Sequence, residues 1–424
     1  MKISCLRSAV ALTLSAGVLT GLCLGAPQAN RVVFVRGAPG TGGFLGGGSD
    51  EQLSDVGNFS TNGGNHGFGQ LALLLEGEGF TVEQIIESTT GAPVNFDALD
   101  LATVSVLVLG SNNQTYSDAD VELVKEFVFQ GGGLLVISDA NWGSDWDRAP
   151  SSDQVFLDPF GLVMNQDTST YVSRASDGDH LVPVDPILKG QGLAVSLGDD
   201  VAAFDGEGVS PLTVGPTPSG VRVEILARAE NNVRQNDAQG SGTIRPAGPL
   251  DAALVVAYFG EGAVVGHFDR NTFFNENGAG TDLTRFDNAQ YARNLFRFLS
   301  GPVPQPYGSP KVNSEGGEAR VVATRSASGV NLSVYGALPG VPTYFVVGTE
   351  RDAQPFFGGD LLVGGNLSRL TLGLTDTSGQ WNEPLPLTTG SGVPATLTFQ
   401  LLYRDSGDPT GYGISSAVET MNGL

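Results

Sequence analysis

Apolar residues fall in two kinds of run along this chain, and the difference divides it. Residues 31–35 (RVVFV) form a short β-branched run, as a buried strand should. A glycine-rich stretch spans residues 37–69, after which FGQLALLLEGEGF predicts a helix ending at glycine and TVEQII a second strand. VSVLVLG (104–110) is apolar except for Ser105, the mark of a central parallel strand covered on both faces. In SDADVELVKEFVFQGGG, Ser117 suits an N-cap and Asp118, Asp120 and Glu122 suit the positive end of the helix dipole. Val121, Val124 and Val128 keep helical spacing, and Gly131 to Gly133 stop the helix. LLVISD (134–139) is the next strand.

Residues 140–220 are irregular and rich in Asp, Gly, Ser and Pro. Strand patterns return in VRVEILARA, ALVVAYF and AVVGHFD, with Glu261-Gly262 expected as the hairpin turn between the last two. A last helix is predicted over 287–301, with Ala292, Leu295, Phe296 and Leu299 as its buried stripe. Strand-helix alternation of this kind implies an α/β domain, flavodoxin-like and mostly parallel, over 30–300 with an irregular insertion at about 140–220. GPVPQPYGSP then puts four prolines into ten residues, a linker over 301–311. Beyond it, ARVVATR, VNLSVYG, PTYFVVG, DLLVG, RLTLGL, PLPLT, ATLTFQLLY and ISSAVET are short strands between turn residues. They predict an all-β antiparallel sandwich over 312–424.

Composition changes this picture at the N-terminus. Lys2 and Arg7 precede an apolar stretch (9–26) that ends in small residues, so residues 1–29 read as a secretory signal peptide. The chain's only cysteines, Cys5 and Cys23, lie inside it. Cleavage would leave no disulfide, thiolate metal site or cysteine nucleophile. It would also lower the basic count from 22 to 20 against 45 acidic residues, moving the net charge from -23 to -25. A chain this acidic is a poor nucleic-acid binder. No later apolar run has membrane-spanning length, so no transmembrane anchor is expected after cleavage. The expected location is secreted, periplasmic or cell-surface.

Four segments carry a family resemblance: GGNHGFGQLALLLEGEGF, LVLGSNNQTYSDADVELVKEFVFQGGGLLVISD, GHFDRNTFF and DNAQYARNLFRFLSG. Together they resemble the class I glutamine amidotransferase-like fold as found in exported bacterial proteins. The resemblance implies the α/β fold over roughly 31–300. It also marks a departure. Catalytic members carry a cysteine on a strand-to-helix elbow, where this chain has Gly110-Ser111-Asn112-Asn113. The resemblance therefore argues against amidotransferase chemistry.

Ligands of open α/β sheets bind beyond the carboxyl ends of the strands. Four such ends offer Arg36; Ser111, Asn112 and Asn113; Asp139, Asn141 and Trp142; and His267, Asp269, Arg270 and Asn271. This mixture suits a polyhydroxylated or amide-bearing ligand, a glycan or cell-envelope component, with Trp142 or Trp146 as a stacking platform. The plainer alternative is that these residues cap helices and close βα turns. A hydrolase acting on a carbohydrate or envelope polymer would draw its acid-base or metal pair from Asp139, His267 and Asp269. A purely structural cell-surface module with a protein partner is the third reading.

Other chemistries lack support. The glycine loop has no Lys-Ser/Thr pair of a P-loop, and no G-x-S-x-G surrounds Ser111 or Ser138. The three histidines, His66, His180 and His267, show no metal spacing. No cofactor is expected. Carboxylate clusters at 177–179, 198–200 and 405–408 are either calcium ligands or solvated acidic loops, and none fits an EF-hand.

Overall fold

In the computed structural model, the residues described are 30–38, 53–88, 91–138, 153–164, 171–173, 201, 204–228, 234–235, 252–300, 305–326, 329–377, 379–385 and 396–421. Residues 1–29, 140–152 and most of 174–203 lie outside them, as do Asp139, Asn141, Trp142, Trp146 and His180.

The first half alternates as its pattern predicts. β1 (Arg31–Arg36) leads to α1 (Gly69–Gly77) and β2 (Thr81–Ile86). β3 (Val106–Ser111), α2 (Asp118–Phe129) and β4 (Gly133–Ile137) follow. Then come β5 (Leu162–Met164), β6 (Tyr171–Ser173), β7 (Gly206–Val209), β8 (Leu212–Val214), β9 (Val221–Arg228) and β10 (Arg234–Gln235). β11 (Ala252–Phe259) and β12 (Gly262–His267) form a hairpin, and α3 (Asn288–Ser300) closes the α/β part.

The main sheet runs β2-β1-β3-β4-β12-β11-β8-β5, with β9 also on β11. The pairs from β2 through β12 are parallel and the rest antiparallel. β3 and β4 are buried at every position. That is what a parallel strand covered on both faces requires, and it is why these strands read as unbroken apolar runs. α1 packs on α3, which also covers β3, β4 and β12, while α2 packs on β4 and β12. Ser117 caps α2 in a capping box with Asp120. Val124, Phe127 and Val128 are its buried face. The predicted stripe of α3 is buried, together with Tyr291 and two asparagines, Asn288 and Asn294.

The hairpin turn sits one residue earlier than the sequence suggests. Phe259 pairs with Gly262, so Gly260-Glu261 make the turn, with Gly260 at a φ of 59°. Gly262 is already in the strand, where an added Cβ would lie 2.3 Å from the Gly132 carbonyl oxygen.

The C-terminal part is antiparallel and β-rich. β13 (Gln305–Tyr307), β14 (Arg320–Ser326), β15 (Gly329–Tyr335), β16 (Pro342–Gly348), β17 (Glu350–Phe356) and β18 (Gly359–Gly364) come first. β19 (Ser368–Leu374), β20 (Trp381–Leu385), β21 (Thr396–Arg404) and β22 (Tyr412–Met421) complete it. One sheet is β13-β22-β21-β16-β19, a second is β14-β15-β20, and β17-β18 is a separate hairpin. The first two sheets share an apolar core of Val321, Leu332, Val334, Phe345, Trp381, Phe399, Leu401 and Tyr403. Residues 305–307 of the proline-rich stretch are not a free tether, because β13 is hydrogen-bonded to β22. Across the junction, Glu224 of β9 accepts from Arg222 at 2.8 Å and faces Arg320 of β14 at 3.6 Å. Among the described residues no helix is long and apolar enough to cross a membrane.

Gly133 fixes the distance between β4 and α3. A Cβ added there would lie 2.4 Å from the backbone oxygen of Leu299. Gly133→Ala is expected to lower stability by about 1–3 kcal/mol through forced displacement of α3. Urea unfolding checks this; an unchanged midpoint would refute it.

Candidate strand-end site

The carboxyl ends of the parallel strands are joined by polar groups that are buried and paired with one another. At the end of β1, Arg36 is 2% exposed, and its Nη1 lies 3.1 Å from the Asp55 carboxylate. Burial lowers the Arg36 pKa, and the Asp55 charge works in the opposite direction. The Gly37 N–H donates to the Ser111 carbonyl at 2.7 Å, and Ser111 Oγ donates to Ser54 Oγ at 2.6 Å.

Glu87, directly after β2, organises the loop beyond β3. Its buried carboxylate accepts the backbone N–H of Asn113 at 2.8 Å, the N–H of Gln114 at 3.2 Å and the Tyr116 hydroxyl at 2.8 Å. Burial, then the Glu87 charge, pushes the Tyr116 phenol far up, so it stays a donor. Asn112 and Asn113 are buried at this turn. Gly110 is required by close packing, since a Cβ there would meet Ile137 Cβ at 2.6 Å.

β12 is tied to β3 and β4 in the same layer. The Ser138 N–H donates to the His267 carbonyl at 2.7 Å, and Arg270 Nη1 donates to the Gly110 carbonyl at 3.1 Å. Asp269 is fully buried and accepts the Asn271 N–H at 3.1 Å; Asn271 Nδ2 donates to the Ala279 carbonyl. Among the expected site residues, Arg36, Asn112, Asn113, His267, Asp269, Arg270 and Asn271 are thus described at the ends of β1, β3 and β12. Asp139, Asn141 and Trp142 lie outside the described residues.

His267 is fully buried, ringed by Phe204, Phe268, Phe273 and Tyr291. Its Nδ1 is 2.9 Å from the Tyr291 hydroxyl and its Nε2 is 3.1 Å from Thr272 Oγ1. Thr272 Oγ1 spends its own proton on the Asp205 carbonyl at 2.8 Å, so it accepts from Nε2–H, and Tyr291 O–H donates to Nδ1. Proton directions along this chain are therefore fixed, and they specify one neutral tautomer. Burial lowers the His267 pKa to about 3, against a smaller raising contribution from the Asp269 backbone. This geometry does not give His267 an acid-base pairing with the Asp269 carboxylate, because both ring nitrogens are bonded elsewhere.

Below His267 lies a carboxylate with no local sequence signal. Asp205 is fully buried, and its Oδ1 accepts from Thr281 Oγ1 and from Asn288 Nδ2 at 3.0 Å. Its Oδ2 faces Arg285 at 3.3 Å. These partners are 76 to 83 residues away, and Asp205 itself lies in the stretch read as irregular. Glu87, by contrast, follows an evident strand, and the strand-end rule would have included it.

Both carboxylates of the 405–408 cluster have partners within the chain. Asp405 accepts from Ser314 N and Oγ, Gly407 N and Asp408 N. Burial would raise its pKa, but these bonds outweigh it and the net direction is down. Lys311 Nζ donates to Asp408 Oδ1 at 2.7 Å, and Phe357 O, Thr410 Oγ1 and Tyr412 O, at 2.8, 2.9 and 3.2 Å, share its two other protons. The Asp408 pKa falls to about 2, first because of Lys311 and then Thr410. The clusters at 177–179 and 198–200 lie outside the described residues. Among the described residues no group of three or more His, Cys, Asp or Glu is placed to hold a metal.

No family model matches the chain, and no curated protein matches it. Several solved structures are similar in part. The N-terminal domain of mmIFT52 has a TM-score of 0.40 at 14% identity, covering 64% of this chain and 97% of that one. A ThuA-like protein from Parabacteroides merdae has a TM-score of 0.38 at 15% identity, covering 66% and 93%. Gan42B, a GH42 β-galactosidase from G. stearothermophilus, has a TM-score of 0.32 at 10% identity, covering 93% and 40%. Likenesses this distant do not bear on what the site does.

Two outcomes follow from this geometry. Glu87→Ala leaves two buried N–H groups and a phenol without their acceptor and is expected to cost at least about 3 kcal/mol in urea unfolding at pH 7; a loss below about 1 kcal/mol would contradict it. His267 titrates near 6.5 when unfolded and near 3 when folded, so between those pH values only the unfolded chain holds its proton. Stability should fall as pH drops through that window, by up to about 1.4 kcal/mol per unit from this group alone. In His267→Gln the pH slope should be shallower by about one proton; equal slopes would refute the assignment.

Proposed function

We propose that this is an exported binding protein whose α/β domain, amidotransferase-like in fold, performs no catalysis. The single observation that carries this reading is the state of His267. A general base must reach the proton it abstracts and titrate near the working pH. His267 is buried, bonded at both nitrogens and held neutral down to about pH 3. The elbow position adds support, because the hydroxyl of Ser111, which stands there, donates to Ser54 rather than to a base among the described residues.

The same pairing of Arg36 with Asp55 and Arg270 with Gly110 makes the strand ends a rigid floor. On this reading a glycan or another cell-envelope component is held above that floor in the strand-end crevice, with Trp142 as the stacking residue. The C-terminal part, taken as a β-sandwich, serves adhesion or docking.

A glycan array with the chain lacking residues 1–29 tests this. Saturable binding by the wild type, weakened about tenfold or more in Trp142→Ala, is the expected result, a loss of roughly the size of one aromatic contact. None of the bound oligosaccharides should be cleaved. Cleavage that disappears in Asp139→Asn or Asp269→Asn would replace the binding reading with the hydrolase one, and an empty array would leave the structural-module reading in its place.

A further inference from the structure

Among the described residues β9 pairs with β11 alone, so its outer side is an open sheet edge. The direction of its backbone groups can be read from two neighbours. Phe259 closes the two-residue turn with Gly262, which points its own N–H and C=O toward β12 and away from β9. Val221, its partner on β9, accordingly donates its N–H to the Pro218 carbonyl at 3.2 Å and not to β11. Backbone groups of an antiparallel strand turn to alternate sides, and the register is unbroken from Phe259↔Val221 to Val255↔Ile225. The N–H and C=O of Val223 therefore also point away from β11, and neither has a partner among the described residues.

This edge borders a cleft of about 940 Å³ between the α/β part and the β-rich part. Five consecutive residues, Gly220 to Glu224, line it, with Tyr307 to Pro310 as a wall from the β-rich part. Side chains of a strand alternate between faces, so a cavity touched by all five runs along the strand's edge rather than over one face. Tyr258, opposite Arg222 on β11, reaches the same cleft. It is 6% exposed, and its hydroxyl has no hydrogen-bond partner among the described residues. Burial, then the Glu224 charge, keeps that phenol protonated, so a donor faces the space beside the open edge. The charges of the lining cancel except at one place. Arg222 and Arg320 meet Glu224, Arg320 also meets Glu318, and Arg351 meets Glu419. Glu261, exposed in the β11–β12 turn, has a carboxylate without a partner among the described residues.

We propose that this cleft binds an extended basic segment of a partner protein, which adds a strand to β9 by exchanging backbone hydrogen bonds with Val223 and sets a lysine or arginine against Glu261. A polypeptide supplies, at strand spacing, the N–H and C=O pairs that an open edge accepts, and a saccharide does not. The chain's net charge of -23 favours a basic partner as well. The volume is at the upper end of the roughly 300–1,000 Å³ of ligand sites, which suits a short segment and not a whole domain. The cleft lies toward the amino ends of β4 and β12, where Gly133 pairs with Ala263, and so at the opposite end of the sheet from the strand-end crevice.

A phage library of random octapeptides, selected on the wild-type chain, supplies the probes, and fluorescence anisotropy of the labelled synthetic peptides reads their binding. The enriched peptides should be rich in Lys and Arg. N-methylation of their backbone should weaken binding about tenfold or more at one set of alternate residues and leave it unchanged at the other, the period of strand addition. Val223→Pro removes the outward N–H without touching the ladder to β11, so it should keep the wild-type circular dichroism and bind about tenfold or more weakly. If that variant does not fold, the N-methylation scan on the wild type decides alone. Glu261→Gln should weaken binding about threefold, the scale of one exposed ion pair. No enriched peptide, enriched peptides without basic residues, an N-methylation scan without the two-residue period, or full binding by a folded Val223→Pro would overturn the proposal. Oligosaccharides that bind the wild type and are lost in Val223→Pro would overturn it too, by assigning the cleft to a sugar.

Discussion

The α/β part depends on a hydrogen-bond chain through its core, from the Tyr291 hydroxyl through the His267 ring and Thr272 to the Asp205 carbonyl. It links α3, the last parallel strand and the segment leading into β7. Each member has its donor and acceptor capacity assigned, so the network tolerates burial that would be costly for any one group alone. Asp205 extends it through Asn288 and Thr281. In consequence the end of β12, which the strand-end rule marks as a place for chemistry, is used here to hold three elements together.

Much of this architecture was legible because the parallel strands are buried on both faces. Residues such as Val106 to Leu109 and Leu134 to Ile137 must then be apolar without interruption, and that pattern is visible in a sequence. The Ser117 cap of α2 and the stripe of α3 were legible for an equally local reason, whereas the return bond from Asp120 that makes the cap a capping box was not read. Less legible was anything decided by distant partners. His267 and Arg270 were placed at the right strand end, but only the fold shows that Tyr291, Thr272 and the Gly110 carbonyl occupy their polar atoms. Asp205 draws its partners from the α3 region and has no motif of its own. β17 was missed because ERDAQPF is exposed along nearly its whole length and has no apolar alternation to read.

Charge is handled differently in the two parts. Around the strand ends, Glu87 is buried against backbone N–H groups and Arg36 is buried beside the Asp55 carboxylate. In the β-rich part, Lys311 gathers the Asp408 carboxylate and three other acceptors at the surface. An acidic chain with few basic residues thus places one ammonium where several loops converge. The turn of the β17–β18 hairpin is tied to that ammonium through the Phe357 carbonyl.

The position of β12 also sets the order in which the fold can form. β12 lies between β4 and β11, and it pairs in parallel with β4 from Gly133↔Ala263 to Ile137↔His267. Everything from residue 138 to 261 separates those two partners in the chain. The entropy of closing so long a loop must be met before the pairing returns any stabilisation. β1, β2 and β3 can assemble from nearer segments, but the sheet has an open edge at β4 until β12 arrives. Wherever that closure is not made, the β4 edge is left unpaired and open to other strands.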